Sequence, residues 1–154
     1  MTDYKARRTM MVDTQVRPSD VTKFPIIDAM LSVPREDFVP ASLREAAYVG
    51  ENIALGANRV MLEPRTLAKM LDALSIEPDH VVLDLGCGLG YSTAILAKMA
   101  EFVVAVEDDA DNATQAQNIL SESGVDNAAV MQGALRDGAA KSAPYDIVMI
   151  QGAV

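Results

Sequence analysis

The sequence has 154 residues, with 13 basic and 22 acidic side chains, so its formal net charge is −9. Half of the residues are hydrophobic and 23% are charged. This composition is typical of a globular protein and excludes an intrinsically disordered chain. The acidic balance repels phosphate groups, so we expect neither nucleic acid nor a membrane as a partner. No apolar stretch approaches the roughly 18 to 20 residues of a spanning helix, and residues 1–11 lack the apolar core of a signal peptide, which predicts a cytoplasmic location.

The sequence also argues against metal chemistry. It contains one cysteine, Cys87, and one histidine, His80. A lone cysteine forms no internal disulfide, and these two residues supply too few soft ligands for a structural zinc site. We therefore expect no metal.

The first half of the chain predicts short helices and one irregular segment. Apolar residues such as Phe24, Ile27 and Leu31 recur at helical spacing before about residue 45. The stretch 49–62 has no sustained period and carries two glycines, which favours an irregular loop or a short extended pair. A proline at its first position and a continuous apolar face then predict a helix over 64–75.

The second half alternates short apolar runs with amphipathic segments, the pattern of a parallel sheet with helices on its faces. The fourth run ends close to the last residue, whereas a doubly wound sheet has about six strands. If this run lies at the edge of the sheet, Val148 and Ile150 are unprotected, so we expect either a truncated chain or pairing with a second copy. The predicted strands cover 81–85, 102–106, 128–132 and 146–150, and the predicted helices cover 91–99 and 111–121.

A glycine-rich turn between the first strand and its helix is the clearest motif. Gly86 permits a tight turn, Gly88 lets a ligand approach the backbone, and Gly90 allows close packing of the helix start. Free N–H groups at a helix start favour a negatively charged ligand group. The motif predicts a cofactor site in which Cys87, between the glycines, also takes part.

Acidic residues at the ends of two strands indicate which cofactor. Glu107, with Asp108 beside it, follows the second strand, where an acid accepts hydrogen bonds from ribose hydroxyls. Asp84 ends the first strand; it would repel a pyrophosphate but suits the amino group and sulfonium of S-adenosylmethionine. A nicotinamide fingerprint would place its third glycine one residue after Gly90. We therefore favour S-adenosylmethionine, with a nicotinamide cofactor and a glycine turn that binds nothing as alternatives.

From about Met11 to its end, the sequence resembles the protein-L-isoaspartate O-methyltransferase family. The stretches 29–40, 86–91 and 143–146 are similar to the family's "VPR..FVP", "GTGSGY" and "APYD" blocks. The resemblance implies a Rossmann-like methyltransferase sheet of order 3-2-1-4, with the remaining strands missing. It also implies S-adenosylmethionine as cofactor and, as partner, a protein or peptide with a free carboxylate, methylated on damaged isoaspartyl residues.

Two positions depart from the family pattern. The family's substrate loop, "GQTISxP", aligns its serine with Leu62, which has no hydroxyl to bind a substrate carboxylate. Arg59 is the expected replacement, since a guanidinium holds a carboxylate with two hydrogen bonds. The acid of the family's "GDG" motif is replaced by Ala134. From the alignment of the substrate loop, we expect Arg59 and Leu62 at the substrate site.

Methyl transfer to a carboxylate needs mainly proximity and orientation, so the sequence identifies no catalytic residue. We divide the chain into an N-terminal helical and substrate-loop region, 1–63, and a partial Rossmann-like cofactor-binding domain, 64–154, within one structural unit. The predicted function is isoaspartyl carboxyl methylation, as in protein repair. The alternative is a relative that binds the cofactor but is catalytically silent.

Overall fold

The computed structural model describes residues 1–56 and 58–153. The chain begins with short helices, as the apolar spacing predicts. Asp3 caps the first helix by accepting a hydrogen bond from the backbone N–H of Ala6 at 3.0 Å. The helices are α1 (Tyr4–Met11), a π-helical turn (Val12–Val16), a 3₁₀ turn (Arg17–Ser19), α2 (Phe24–Ser32) and two further 3₁₀ segments (Arg35–Phe38 and Ala41–Ala46).

The segment without a clear period forms a short antiparallel hairpin. Its strands are β1 (Ile53–Gly56) and β2 (Arg59–Met61), and they form a sheet of their own. The expectation of a short extended pair is therefore correct for this segment, with Ala57 outside the described residues. The helix α3 (Pro64–Leu74) follows, with Pro64 at its first position.

The second half forms a parallel sheet of the predicted order. The sheet runs β5-β4-β3-β6, which corresponds to 3-2-1-4 when the four strands are numbered along the chain. The predicted boundaries agree with the structure to within a residue. The strands are β3 (Val81–Leu85), β4 (Phe102–Glu107), β5 (Ala128–Gln132) and β6 (Ile147–Ile150), and the helices are α4 (Tyr91–Met99) and α5 (Ala110–Glu122).

The main core lies on one face of this sheet. Val82 and Val103 of adjacent strands pack there with Leu96 of α4 and Leu120 of α5, and the same cluster includes residues of the N-terminal helices. The opposite face has a smaller cluster, closed in part by the segment after β5. At the β6 edge, Val148 is 50% exposed. No helix among the described residues is long and apolar enough to cross a membrane.

Candidate cofactor site

The glycine turn lies between β3 and α4, at the carboxyl end of the sheet. Gly86, Gly88 and Gly90 have φ angles of +81°, +60° and +100°, a region that side chains with a Cβ rarely adopt. The N–H of Gly86 donates to the carbonyl of Val106 at 2.8 Å, which ties the turn to β4. A Cβ on Gly90 would lie 3.4 Å from Leu120, so the start of α4 packs closely against α5.

Asp84 is fully buried at the end of β3 and is held by uncharged donors. The hydroxyls of Ser92 and Thr93 donate to its Oδ2 at 2.7 and 2.9 Å, and the Gln151 amide donates to its Oδ1 at 2.9 Å. Burial raises the pKa of Asp84, while these three donors act in the opposite direction. The carboxylate is therefore fixed in place by a network that needs no cation.

Glu107 is also fully buried, at the end of β4, but one of its partners is charged. Its Oε1 accepts from the N–H of Gly88 at 3.0 Å and from Nε of Arg59 at 2.9 Å, and its Oε2 accepts from the N–H of Asp109 at 2.9 Å. Burial raises the pKa of Glu107, while these three donors act in the opposite direction. Hydrogen bonding to Glu107 and Arg59 lowers the pKa of the neighbouring Asp108.

The hairpin covers this end of the sheet. Arg59 also donates from Nη2 to Oδ1 of Asp108 at 2.8 Å, and its side chain is 8% exposed. A Cβ on Gly88 would lie 2.5 Å from Cδ1 of Leu55. Only about 20 Å³ of cavity remains between the hairpin and the glycine turn, which is about the space of one water molecule.

The predicted cofactor residues all lie at this place in the fold, around the carboxyl ends of β3 and β4. Cys87 is buried, and burial raises the pKa of its thiol well above the usual value. The thiol is therefore the stable form, and a nucleophilic role is disfavoured. The residues that the structure brings together are Asp84, Gly86, Cys87, Gly88, Gly90, Glu107 and Asp108.

The two predicted substrate residues have different surroundings. Arg59 is bound to two carboxylates of the protein itself. Leu62 is half-buried and lines the small cavity beside the glycine turn, and its carbonyl accepts a hydrogen bond from Arg35 at 3.0 Å. Ala134 is exposed after β5.

Three residues of the site are absent from the sequence predictions. Ser92 and Thr93 begin α4 directly after the glycine turn, and Gln151 follows β6, the neighbour of β3. β4 lies on the other side of β3, so Gln151 stands where the strand order reverses, and ligands of open α/β sheets bind at such points. That rule was the available signal for Gln151.

A buried arginine, Arg35, contacts residues that line the small cavity of the site. Arg35 is fully buried, with its guanidinium 4.8 Å from the ring centre of Tyr91. Its Nε donates to the carbonyl of Ala47 at 2.6 Å. The Nη1 atom of Arg35 has no hydrogen-bond partner among the described residues. These contacts connect the N-terminal region to the residues after the hairpin and to α4.

Among the described residues, no group of three or more histidine, cysteine, aspartate or glutamate side chains could hold a metal ion.

The model of one protein family matches residues 6–154, and its description is protein-L-isoaspartate(D-aspartate) O-methyltransferase. A protein-L-isoaspartate O-methyltransferase of Koribacter versatilis is 32% identical over 154 residues, which are 100% of this chain and 69% of that protein. One of Syntrophus aciditrophicus is 34% identical over 97% of this chain and 69% of its own length.

Solved structures show the same fold. A protein-L-isoaspartate O-methyltransferase matches with a TM-score of 0.81 at 22% identity, over 93% of this chain and 47% of its own. A second, described as a beta-aspartate methyltransferase from Plasmodium falciparum in complex with S-adenosyl-L-homocysteine, matches with a TM-score of 0.77 at 16% identity, over 97% of this chain and 73% of its own. The chain thus spans about two thirds of the curated relatives and less than half of the first of these solved chains.

Proposed function

Because this chain belongs to the protein-L-isoaspartate(D-aspartate) O-methyltransferase family, we propose that it methylates the free carboxylate of isoaspartyl residues with S-adenosylmethionine, bound at the glycine turn. One observation carries the proposal. Two buried carboxylates, Asp84 and Glu107, lie at the carboxyl ends of adjacent parallel strands, next to a turn whose three glycines carry no Cβ. This is the position at which open α/β sheets bind ligands.

The residues fit the chemistry of this cofactor. Asp84 supplies a negative charge for its cationic amino acid end, and Glu107 supplies an acceptor for ribose hydroxyls. Gly86 and Gly88 present backbone without a Cβ. In the structure Arg59 and Leu55 fill the space above these glycines, so binding requires that both side chains move.

The remaining chemistry is positioning. The bound cofactor supplies a methyl group on a sulfonium, which a carboxylate attacks without a general base. The chain therefore contributes orientation and exclusion of water, and effective molarity is the main source of rate. Leu62 and Tyr91 line the small cavity beside the glycine turn, where apolar surface would exclude water from the reacting groups.

The test is transfer of labelled methyl from S-adenosylmethionine to an isoaspartyl peptide, with the aspartyl peptide of the same sequence as control. We expect base-labile methyl ester on the isoaspartyl peptide alone. Asp84→Asn keeps the shape of the side chain but removes its charge, and we expect it to abolish the signal. Binding of S-adenosylhomocysteine with no methyl ester on the isoaspartyl peptide would instead favour the silent binding module, which the replacement of the family's serine by Leu62 supports.

Three narrower statements stay predictions. They are the cytoplasmic location, a role in protein repair, and pairing of two copies through the open β6 edge. The division into 1–63 and 64–154 is a prediction as well.

A further inference from the structure

Two side chains of the hairpin, Arg59 and Leu55, lie where the cofactor is proposed to bind, and we call them the arginine plug. Arg59 contacts Glu107 at 2.9 Å and Asp108 at 2.8 Å with different nitrogen atoms. Its side chain is only 8% exposed, so the guanidinium lies inside the site and not at its rim. The carboxylate proposed to accept from ribose is thus already engaged at Oε1.

The plug also occupies the surface of the glycine turn. A Cβ on Gly86 would lie 3.0 Å from Nη1 of Arg59, and one on Gly88 would lie 2.5 Å from Leu55. The remaining cavity of about 20 Å³ is far below the roughly 300 to 1,000 Å³ of small-molecule pockets. A ligand on these glycines and the plug therefore exclude each other.

The two strands of the hairpin lie outside the four-stranded sheet. They pair only with each other among the described strands. The register is irregular between Ala54 and Gly56, and a lone two-stranded hairpin is only marginally stable. Ile53 and Met61 of the hairpin are buried in the main core, so the smallest change that uncovers the glycine turn is movement of the Arg59 and Leu55 side chains.

We infer that the arginine plug competes with the cofactor for Glu107 and so controls access to the site. The inference rests on the proposed function. A site that is open in only a fraction of the molecules binds its ligand more weakly by that fraction. The guanidinium suits this role because its fixed fork of donors reaches both carboxylates at once.

The experiment is calorimetric titration with S-adenosylhomocysteine of wild type, Arg59→Ala and Arg17→Ala. Arg17 is a charge-matched control, since its contact with Asp13 is exposed. We expect Arg59→Ala to bind about tenfold more tightly than wild type, as for a site open in about one molecule in ten. We expect Arg17→Ala to equal wild type. Without ligand, Arg59→Ala should melt at a lower temperature than wild type, because two carboxylates lose their cation.

Tighter binding combined with lower stability is the signature of a competing side chain, because a merely supporting residue would weaken both. Equal or weaker binding by a folded Arg59→Ala protein would overturn the plug while leaving the cofactor site intact. No binding by any of the three folded proteins would overturn the cofactor site and, with it, the plug. Leu55→Ala, which uncovers Gly88 and leaves every charge in place, serves if Arg59→Ala does not fold. It should also bind more tightly than wild type.

Discussion

The two buried carboxylates of the site are satisfied from different parts of the molecule. Asp84 takes its hydrogen bonds from Ser92, Thr93 and Gln151, all in the Rossmann-like half. Glu107 takes two from backbone N–H groups and one from Arg59, which lies on the hairpin. One acid therefore takes all its partners from the Rossmann-like half, and the other shares its network with the arginine plug of the hairpin.

This difference separates holding the cofactor from admitting it. The neutral donors around Asp84 remain in place whatever the hairpin does, since α4 and the residue after β6 carry them. The cation on Glu107 leaves when the arginine plug moves away, and a desolvated carboxylate then needs new donors. Ribose hydroxyls can donate these hydrogen bonds. Variants at the two acids test this contrast.

Asp84→Ala should be the most damaging single change. It leaves two buried hydroxyls and one buried amide without their acceptor, and an unsatisfied buried donor costs about 1 to 3 kcal/mol. We expect the free energy of unfolding to fall by roughly 3 kcal/mol, because rotation of the hydroxyls recovers part of the cost. Urea unfolding measures this change in the free energy of unfolding.

Asp79→Ala is the control for that experiment, because it removes an exposed carboxylate from the turn before β3. It should change the free energy of unfolding by less than about 0.5 kcal/mol. A loss at Asp84 no larger than this would show that the network around Asp84 is not a fixed part of the fold.

A double-mutant cycle on Arg59→Ala and Glu107→Gln should show a coupling of about 2 kcal/mol in the free energy of unfolding, since the two side chains are in direct contact. The matching cycle on Arg59→Ala and Asp84→Asn should be additive within about 0.5 kcal/mol. Urea unfolding of the six proteins measures both. Equal couplings in the two cycles would show that one network joins both acids.

Much of this arrangement could be predicted from the sequence, for reasons that particular residues show. The strand and helix periods around Asp84 and Glu107 are strong because both faces of the sheet are covered, so these elements and the glycine turn between them were predicted correctly. The strand order was predicted from the family resemblance. The position of Arg59 could not be predicted. The hairpin has no apolar period, and the cation reaches Glu107 through a contact across 48 positions. Gln151 lies 67 positions from Asp84, and only the fold brings them together.

The free energy of unfolding should depend on pH differently in wild type and in Asp84→Asn, because Asp84 is a buried acid with neutral partners. Burial raises the pKa of Asp84 above the ordinary value of about 3.9. The folded state therefore binds a proton more readily than the unfolded chain, and its stability falls as pH rises through the folded pKa. Relative to Asp84→Asn, wild type should lose about 1.4 kcal/mol for each unit by which the pKa is raised. Urea unfolding between pH 4 and 7 measures the difference, and a constant difference would contradict it.

The smallest expected effect is a gain of activity at the residue after the hairpin. Leu62→Ser places a hydroxyl beside the glycine turn without changing the carbonyl that accepts from Arg35. A hydrogen bond to the substrate carboxylate is worth about 0.5 to 1.5 kcal/mol, so kcat/KM for an isoaspartyl peptide should rise about two- to tenfold. Leu62→Ala loses similar apolar area without gaining a donor, and its kcat/KM should not exceed that of wild type. If both variants behave alike, the hydroxyl makes no contact with substrate. If kcat/KM rises only in the serine variant, the segment around the hairpin orients the substrate carboxylate, while the fixed network around Asp84 holds the cofactor.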